Sequence, residues 1–297
     1  MDKTPTLSDL EYFISVVSEG SLTGASKRLR VQQSTLTMAI QRLETITGAS
    51  LLVRARTGVQ PTQAGRIFLE KSKVLLEQWY DVSNELSGKK KTMRTRLSLG
   101  CHQTTGLYAL RKFLPHFLNS NPEIEITVQH DYASNIIENV LSYRLDFGLA
   151  VNPVQHQEME IVPLYKTYLA LWGSDLSTKL NKGVLFYDPQ MYGIELIMAQ
   201  LNKRGPKFDR YLTVSSLDTI ASLVISGAGY ALLPADTACS LGQSSLKLIW
   251  EPKIPELIVS LLFRKDVQHS RAANLFTQAA KTELGKLLPG KKYKDQV

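Results

Sequence analysis

The chain has 297 residues, of which 43% are hydrophobic and 21% charged, a balance typical of a folded protein with two or three hydrophobic cores. The formal net charge of +8 is concentrated near the amino terminus, because residues 1–97 hold 15 Lys and Arg against 9 Asp and Glu. The sequence has no apolar run of about 18 residues and no signal pattern, which argues against a membrane or secreted protein. We therefore expect a cytoplasmic protein.

The first fifty residues predict two short helices, a tight turn and a third helix. Ser8 is the predicted N-cap of a helix that ends at Gly20, and Ser21 caps a second helix over residues 22–29. The third helix runs from Gln33 to Thr47, and the face opposite its apolar residues can hydrogen-bond base edges or phosphates. The predicted DNA contacts here are Gln32, Gln33, Ser34, Thr37, Gln41 and Arg42.

Residues 51–62 predict a hairpin beside these helices. Arg54 and Arg56 alternate with apolar neighbours, and Thr57-Gly58 marks a tight turn. Both arginines are therefore predicted to contact DNA phosphates, as the side chains of a wing. The alternative is that the three helices and the hairpin are only a packing unit, and that the two arginines form a solvated edge.

Residues 7–66 resemble the winged helix-turn-helix of LysR-type transcriptional regulators. The matching positions are Phe13, Val17, Glu19-Gly20-Ser21-Leu22, Ala25, Leu29, Gln33, Ser34, Leu43-Glu44, Gly48, Leu51-Leu52, Arg54, Thr62 and Ala64-Gly65. Four positions depart from the usual pattern, namely Gly24, Gln32, Thr37 and Met38. The resemblance implies binding to double-stranded promoter DNA, while the departures imply a base preference of its own.

A long helix is predicted from Gln63 to about Leu86, with Thr62 as its N-cap. Its apolar positions recur at spacings of three and four, as in a coiled-coil seam. The resemblance implies that this helix pairs with its copy in a homodimer, or within a homotetramer, through Phe68, Leu75, Trp79, Val82 and Leu86. The alternative is that the seam packs on the second domain of its own chain. The polar residues 87–92 mark a boundary between domains at 1–61, 62–90 and 91–297.

Beyond residue 95, predicted strands alternate with helices, which is typical of an α/β domain with two lobes. We place lobe I at about 91–165 and 265–297, and lobe II at about 166–264. A strand over residues 257–263 is predicted to return to the first set of strands. The motifs Leu97-Ser98-Leu99-Gly100, Asn121-Pro122, Leu145-Asp146, Ser226-Gly227-Ala228-Gly229 and Leu233-Pro234 resemble the LysR-type effector domain, which is similar to periplasmic binding proteins. Tyr143 and Arg144 depart from the usual glycine and acidic residue.

Ligands of open α/β folds lie at the carboxyl ends of strands, near helix amino termini. Polar residues at such positions are Cys101, His102, Gln103, Thr104, Ser134, Asn152 and Ser216, which we take as candidate effector contacts. Their hydroxyl and amide groups fit a small polar effector such as a carboxylate. The alternative is that the threonine and serines are ordinary helix caps.

The cysteines and histidines predict no metal site, cofactor or catalytic residue. Cys101 and Cys239 lie 138 residues apart, and the histidines lack ligand spacing. The main prediction is a transcriptional regulator whose promoter binding is modulated by a small-molecule effector. One alternative is a redox-responsive regulator in which His102 activates the Cys101 thiol. Another is a solute-binding or enzymatic module with an interaction head.

Overall fold

The amino-terminal head consists of three helices and a hairpin. The computed structural model describes residues 4–55, 58–87, 95–177, 183–242, 245–253, 256–265, 267 and 270–285. The head contains α1 (Leu7–Glu19), α2 (Leu22–Leu29), α3 (Gln33–Thr47), β1 (Leu52–Ala55) and β2 (Gly58–Pro61). Phe13, Leu36 and Leu43 are fully buried at its centre. The apolar periodicity of the sequence therefore gives two buried clusters, one around Phe13 and Leu43 and one in which Leu36 meets α1 and α2.

The first helix begins differently from the prediction. Its N-cap is Thr6 rather than Ser8, because Thr6 and Asp9 form a reciprocal capping box. The Thr6 hydroxyl accepts the Asp9 amide at 3.2 Å, and the Asp9 carboxylate accepts the Thr6 amide at 2.9 Å. The predicted end at Gly20, with a φ of 59°, and the predicted cap of α2 at Ser21 are both confirmed.

The linker helix α4 (Gln63–Ser87) begins after Thr62, whose hydroxyl accepts the Gly65 amide at 3.0 Å. Its predicted seam is divided in two. Phe68 packs edge-on against Phe13 inside the head, at a centroid distance of 5.1 Å, because α1 covers this part of α4. The later seam residues are at least half exposed, and these are Leu75, Trp79, Val82 and Leu86.

The rest of the described chain forms two five-stranded sheets. The first has the order β4-β3-β5-β12-β6 and the second β11-β7-β10-β8-β9. The strands are β3 (Thr95–Cys101), β4 (Ile124–His130), β5 (Phe147–Val151), β6 (Met159–Thr167), β7 (Leu169–Gly173), β8 (Val184–Tyr187), β9 (Arg210–Thr213), β10 (Tyr230–Pro234), β11 (Lys247–Trp250) and β12 (Leu257–Arg264). The helices are α5 (Gln103–Ser120), α6 (Ala133–Leu141), α7 (Ile194–Arg204), α8 (Leu217–Ile225), α9 (Ala235–Gly242) and α10 (Arg271–Leu284).

The sheet topology corrects the predicted lobe boundary. β12 pairs with β6 along its whole length and with β5 over residues 259–263, so this strand returns to the first sheet as predicted. Residues 257–264 therefore belong to lobe I and not to lobe II. The chain passes between the sheets twice, from β6 to β7 and from β11 to β12. Two elements of lobe II, α9 and β11, are too short to show a clear periodicity in the sequence.

Candidate DNA-binding and effector sites

The predicted reading face of α3 is largely exposed. Gln32, Gln33, Ser34 and Gln41 lie on the surface, while Leu36 and the other apolar residues face the core. Thr37 lies on the same face but is half buried, and its hydroxyl donates to the Gln33 carbonyl at 3.0 Å. Amide side chains at the start of a helix can reach base edges in a major groove.

Arg42 makes an ion pair within the head. Its Nε donates to Asp9 Oδ2 at 3.0 Å, and a second guanidinium nitrogen contacts Oδ1 of the same carboxylate. Burial raises the pKa of Asp9, but the hydrogen bonds from Arg42 and Thr6 outweigh burial and leave this pKa below its usual value. The guanidinium predicted to contact DNA thus also ties α3 to α1.

The hairpin is held against the corner between α1 and α2. The Val59 amide donates to the Gly20 carbonyl at 2.7 Å, and Arg54 lies exposed in β1 opposite Val59. Arg56 lies outside the described residues. Lys27 and Arg30 are exposed on the same head, whereas Arg28 pairs with Glu19 at 2.9 Å. Exposed cations near the reading face are suited to phosphate contacts.

Two of the predicted effector residues lie where the lobes meet. Gln103, at the start of α5, donates to the Asp218 carboxylate of α8 at 2.8 Å and so joins lobe I to lobe II. Burial lowers the pKa of His102, while nearby Asp188 and Asp218 oppose that shift. His102, Gln103 and these two carboxylates therefore form one polar cluster in the cleft.

Cys101 is wholly buried and cannot touch an effector in this structure. Its neighbour is His130, whose Nδ1 lies 3.8 Å from Sγ, rather than the predicted His102. Burial raises the pKa of the Cys101 thiol to about 12, so the thiol is protonated near neutral pH. The arrangement opposes the thiolate chemistry of the redox alternative.

The remaining candidates divide into exposed and structural residues. Ser134 is exposed in the first turn of α6, and the buried Thr104 hydroxyl hydrogen-bonds His102 Nδ1 at 2.9 Å. Ser216 caps α8 by accepting the Thr219 amide at 3.2 Å, as the helix-cap alternative expected. Asn152 joins β5 to β12, because its side-chain oxygen accepts the Ile258 amide at 2.8 Å.

Sequence reasoning missed Asp188 and Asp218. Asp188 directly follows β8, and Asp218 lies two residues after Ser216. The rule that found Cys101 and Ser216 could therefore have found both, had acidic side chains been considered. The ring of Tyr132, the N-cap of α6, lies 5.8 Å from the ring of His102, the N-cap of α5, and no local pattern predicts this contact.

Other kinds of site find no support in the described part of the chain. Its His, Cys, Asp and Glu side chains include no group of three or more arranged to hold a metal ion. None of the helices formed by these residues is sufficiently long and apolar to span a bilayer.

Comparisons with known proteins agree with this arrangement. Residues 7–66 match the family model of the bacterial regulatory helix-turn-helix protein, lysR family, and residues 90–285 match the LysR substrate binding domain. The chain is 25% identical over 274 residues to the uncharacterized regulator YusT of Bacillus subtilis, covering 90% of this chain and 92% of YusT. It is 23% identical over 290 residues to the regulator TdcA of Escherichia coli, covering 93% of each chain.

Two solved structures share the fold. OxyR of Pseudomonas aeruginosa has a TM-score of 0.60 and 20% identity, covering 94% of this chain and 95% of its own. CbnR, a LysR family transcriptional regulator, has a TM-score of 0.51 and 24% identity, covering 93% of this chain and 99% of its own. Together the two family models match most of the sequence, from the head to the end of the second domain. The chain therefore belongs to the LysR family of transcriptional regulators.

Proposed function

We propose that α3 enters the major groove of promoter DNA and that the β1–β2 hairpin contacts the adjacent backbone. The observation that carries the proposal is the exposed row Gln32, Gln33, Ser34 and Gln41, which lies on a head with exposed cations. Amide side chains can read base edges, whereas Arg54 would supply a phosphate contact without sequence information. The role is regulatory rather than catalytic, and the protein would act with DNA in the cytoplasm.

The effector would bind in the cleft between the lobes and change how they close. Gln103 and Asp218 already join the lobes directly, so a ligand that replaces this hydrogen bond would favour a different closure. A carboxylate effector, which the sequence favoured, would meet the negative charges of Asp188 and Asp218 near His102. We therefore favour a ligand that presents hydrogen-bond donors or a positive charge to these carboxylates.

Dimerisation through α4 would place two heads on one operator. Leu75, Trp79, Val82 and Leu86 form an apolar stripe on the exposed side of this helix. We propose that the same stripe of a second chain covers it. Two linked heads contact two half-sites, which raises both affinity and specificity over one head.

A gel-shift assay with DNA fragments around the gene for this protein tests the DNA proposal. Gln33→Ala is expected to lower the affinity for the specific fragment about 5- to 150-fold and to change the affinity for unrelated DNA little, because a base contact is worth roughly 1–3 kcal/mol. Arg54→Ala is expected to weaken both kinds of binding. It should also reduce the slope of log K against log salt by about 0.9, because one phosphate is no longer neutralised.

Arg111→Ala is the matched control, because Arg111 is an exposed cation on α5 in the other domain. It should bind as the unmodified protein does. If the unmodified protein shifted none of the fragments, the proposal would be wrong. If the Gln33 variant retained full discrimination, α3 would not read the DNA through this residue.

A further inference from the structure

Lobe I touches the DNA-binding half of its own chain at one corner. This docking corner, residues Tyr143–Asp146, follows α6 and precedes β5. Tyr143 packs against the buried cluster that α1 and α4 share. The Arg144 guanidinium lies against the end of α1, since a β-carbon added to Gly20 would lie 3.4 Å from Arg144 Nε. The corner therefore contacts both the head and the linker helix.

Two ion pairs flank this contact. Lys73 of α4 lies 3.1 Å from the Asp146 carboxylate, and Arg66 of α4 lies 2.7 Å from the Glu158 carboxylate of lobe I. Beside them runs a groove of about 1040 Å³ lined by both the head and lobe I. The two parts thus meet at a narrow, partly charged contact rather than across a continuous apolar interface. Interfaces of this kind permit relative motion of domains.

The conformation of Tyr143 indicates that the corner is built for contact. Its φ is 65°, in the left-handed region that costs free energy for a residue with a side chain. The buried Arg264 guanidinium stacks over the Tyr143 ring at 3.8 Å and donates to the Leu145 carbonyl at 3.1 Å. Arg264 therefore holds the ring from one side, while the cluster of α1 and α4 packs against it.

The same corner is joined to the cleft by two elements of lobe I. Helix α6 has Tyr132, beside His102, at one end and Tyr143 just beyond the other, and nine helical residues span about 13 Å. Strand β3 lies alongside this helix. Ser98 near its middle donates its amide to Asp146 at 2.9 Å, and the strand ends at Cys101 beside the cleft.

We propose that the docking corner holds the head of its own chain in one orientation and that α6 transmits movement at the cleft to this contact. The inference rests on the proposed function, because it supplies the link between effector and DNA. A ligand against the start of α6 would shift the helix as a unit, and Tyr143 would move with it. The head would then be released or reoriented without any direct contact between ligand and head.

Distances between spin labels test whether the docking corner holds the head in one orientation. They are measured on the full chain without DNA or effector. Labels are placed at Ser8→Cys in the head and Lys112→Cys in lobe I, both exposed, in a Cys239→Ser background. Labelled chains are diluted with unlabelled chains so that only distances within one chain are counted. The reference protein should show one narrow distance, and Tyr143→Gly should broaden it. Glycine tolerates the positive φ, so this variant removes the contact without straining the fold.

Tyr143→Phe is the matched control, because it keeps the ring and should retain the narrow distance. Arg66→Glu and Glu158→Arg should each broaden the distance, and the double exchange should restore it. If the distance distribution of Tyr143→Gly is identical to that of the reference protein, the role of the docking corner is overturned. It is also overturned if the single exchanges broaden the distance and the double exchange does not restore it.

A separate variant tests whether α6 transmits movement from the cleft to the docking corner. Tyr132→Ala removes the ring at the cleft end of the helix and should change the distance measured between head and lobe, although Tyr132 does not touch the head. An unchanged distance would overturn the α6 link. If the protein shifts no DNA but its label distance broadens in Tyr143→Gly, the proposed function is contradicted and the role of the docking corner is supported. If the protein shifts DNA but its label distance does not change in Tyr143→Gly, the proposed function stands and only the role of the docking corner is contradicted.

Discussion

Several residues of the head have a conformational role that their chemical type alone does not reveal. Gly58 illustrates this, because its φ is 112° and a β-carbon there would lie 2.3 Å from the Gly20 carbonyl oxygen. The same close approach allows the Val59 amide to reach that carbonyl. The hydrogen bond that fixes the hairpin to the end of α1 therefore requires a residue without a side chain at position 58.

We expect Gly58→Ala to lower the free energy of unfolding by more than Gly48→Ala does. Gly48 also has a positive φ, 68°, but a β-carbon there would meet nothing within 4 Å. It should therefore cost only the backbone strain, about 1–2 kcal/mol, whereas Gly58→Ala adds a steric clash. Urea denaturation followed by circular dichroism measures both variants. Equal losses would show that the hairpin can move away from α1 at no cost.

At the scale of elements, α4 has one face that its own chain covers and another that is exposed. Leu69 and Leu76 are buried in the cluster shared with α1, while Leu75 and Trp79 are more than half exposed. The sequence periodicity predicts an apolar helix but does not say which turns are covered by its own chain. The covered half includes Phe68, which was predicted to contact a second subunit.

We expect Trp79→Glu to convert the protein to a smaller oligomer. A charge placed in the middle of the proposed interface would be desolvated without a partner on the copy of α4. Gln78→Glu is the control, because Gln78 is also exposed on α4 but lies off the stripe. Sedimentation velocity measures the change. If both variants sediment as the unmodified protein does, another surface forms the oligomer.

At the scale of the whole molecule, Asp146 joins the linker helix to the first sheet. It accepts the amide and hydroxyl of Ser98 at 2.9 and 2.8 Å and pairs with Lys73. Burial raises the pKa of Asp146, but Lys73, Arg264 and the Ser98 hydrogen bonds outweigh burial and leave this pKa below its usual value. Its ionised form is therefore the one that the folded chain stabilises.

We expect this stabilisation to be complete above pH 3.8, the ordinary pKa of the group, and to be lost as the pH falls through the lower pKa of the folded state. Asp146→Asn should cost roughly 1.5–3 kcal/mol at pH 7, the usual value of hydrogen bonds to a charged group. The cost should shrink in strong acid. Asp175→Asn, at a largely exposed ion pair with Lys247, should cost less than about 1 kcal/mol. Denaturation of each variant across the acid range measures both effects, and a cost independent of pH would contradict this role for the charge.

The sequence by itself determined the local elements. Helices α2 and α3 have the predicted bounds, because caps, glycines and apolar periodicity are properties of neighbouring residues. The order of elements also predicted two lobes. The family resemblance then implied what the head and the second domain do.

Only the tertiary structure decided which distant groups meet. It buried Cys101 beside His130 and brought Asp188 and Asp218 close to His102. It also covered half of the α4 seam with α1 and left the other half exposed. The burial and the pKa of a side chain depend on groups from remote parts of the chain that pack against it. The local sequence pattern does not identify these groups.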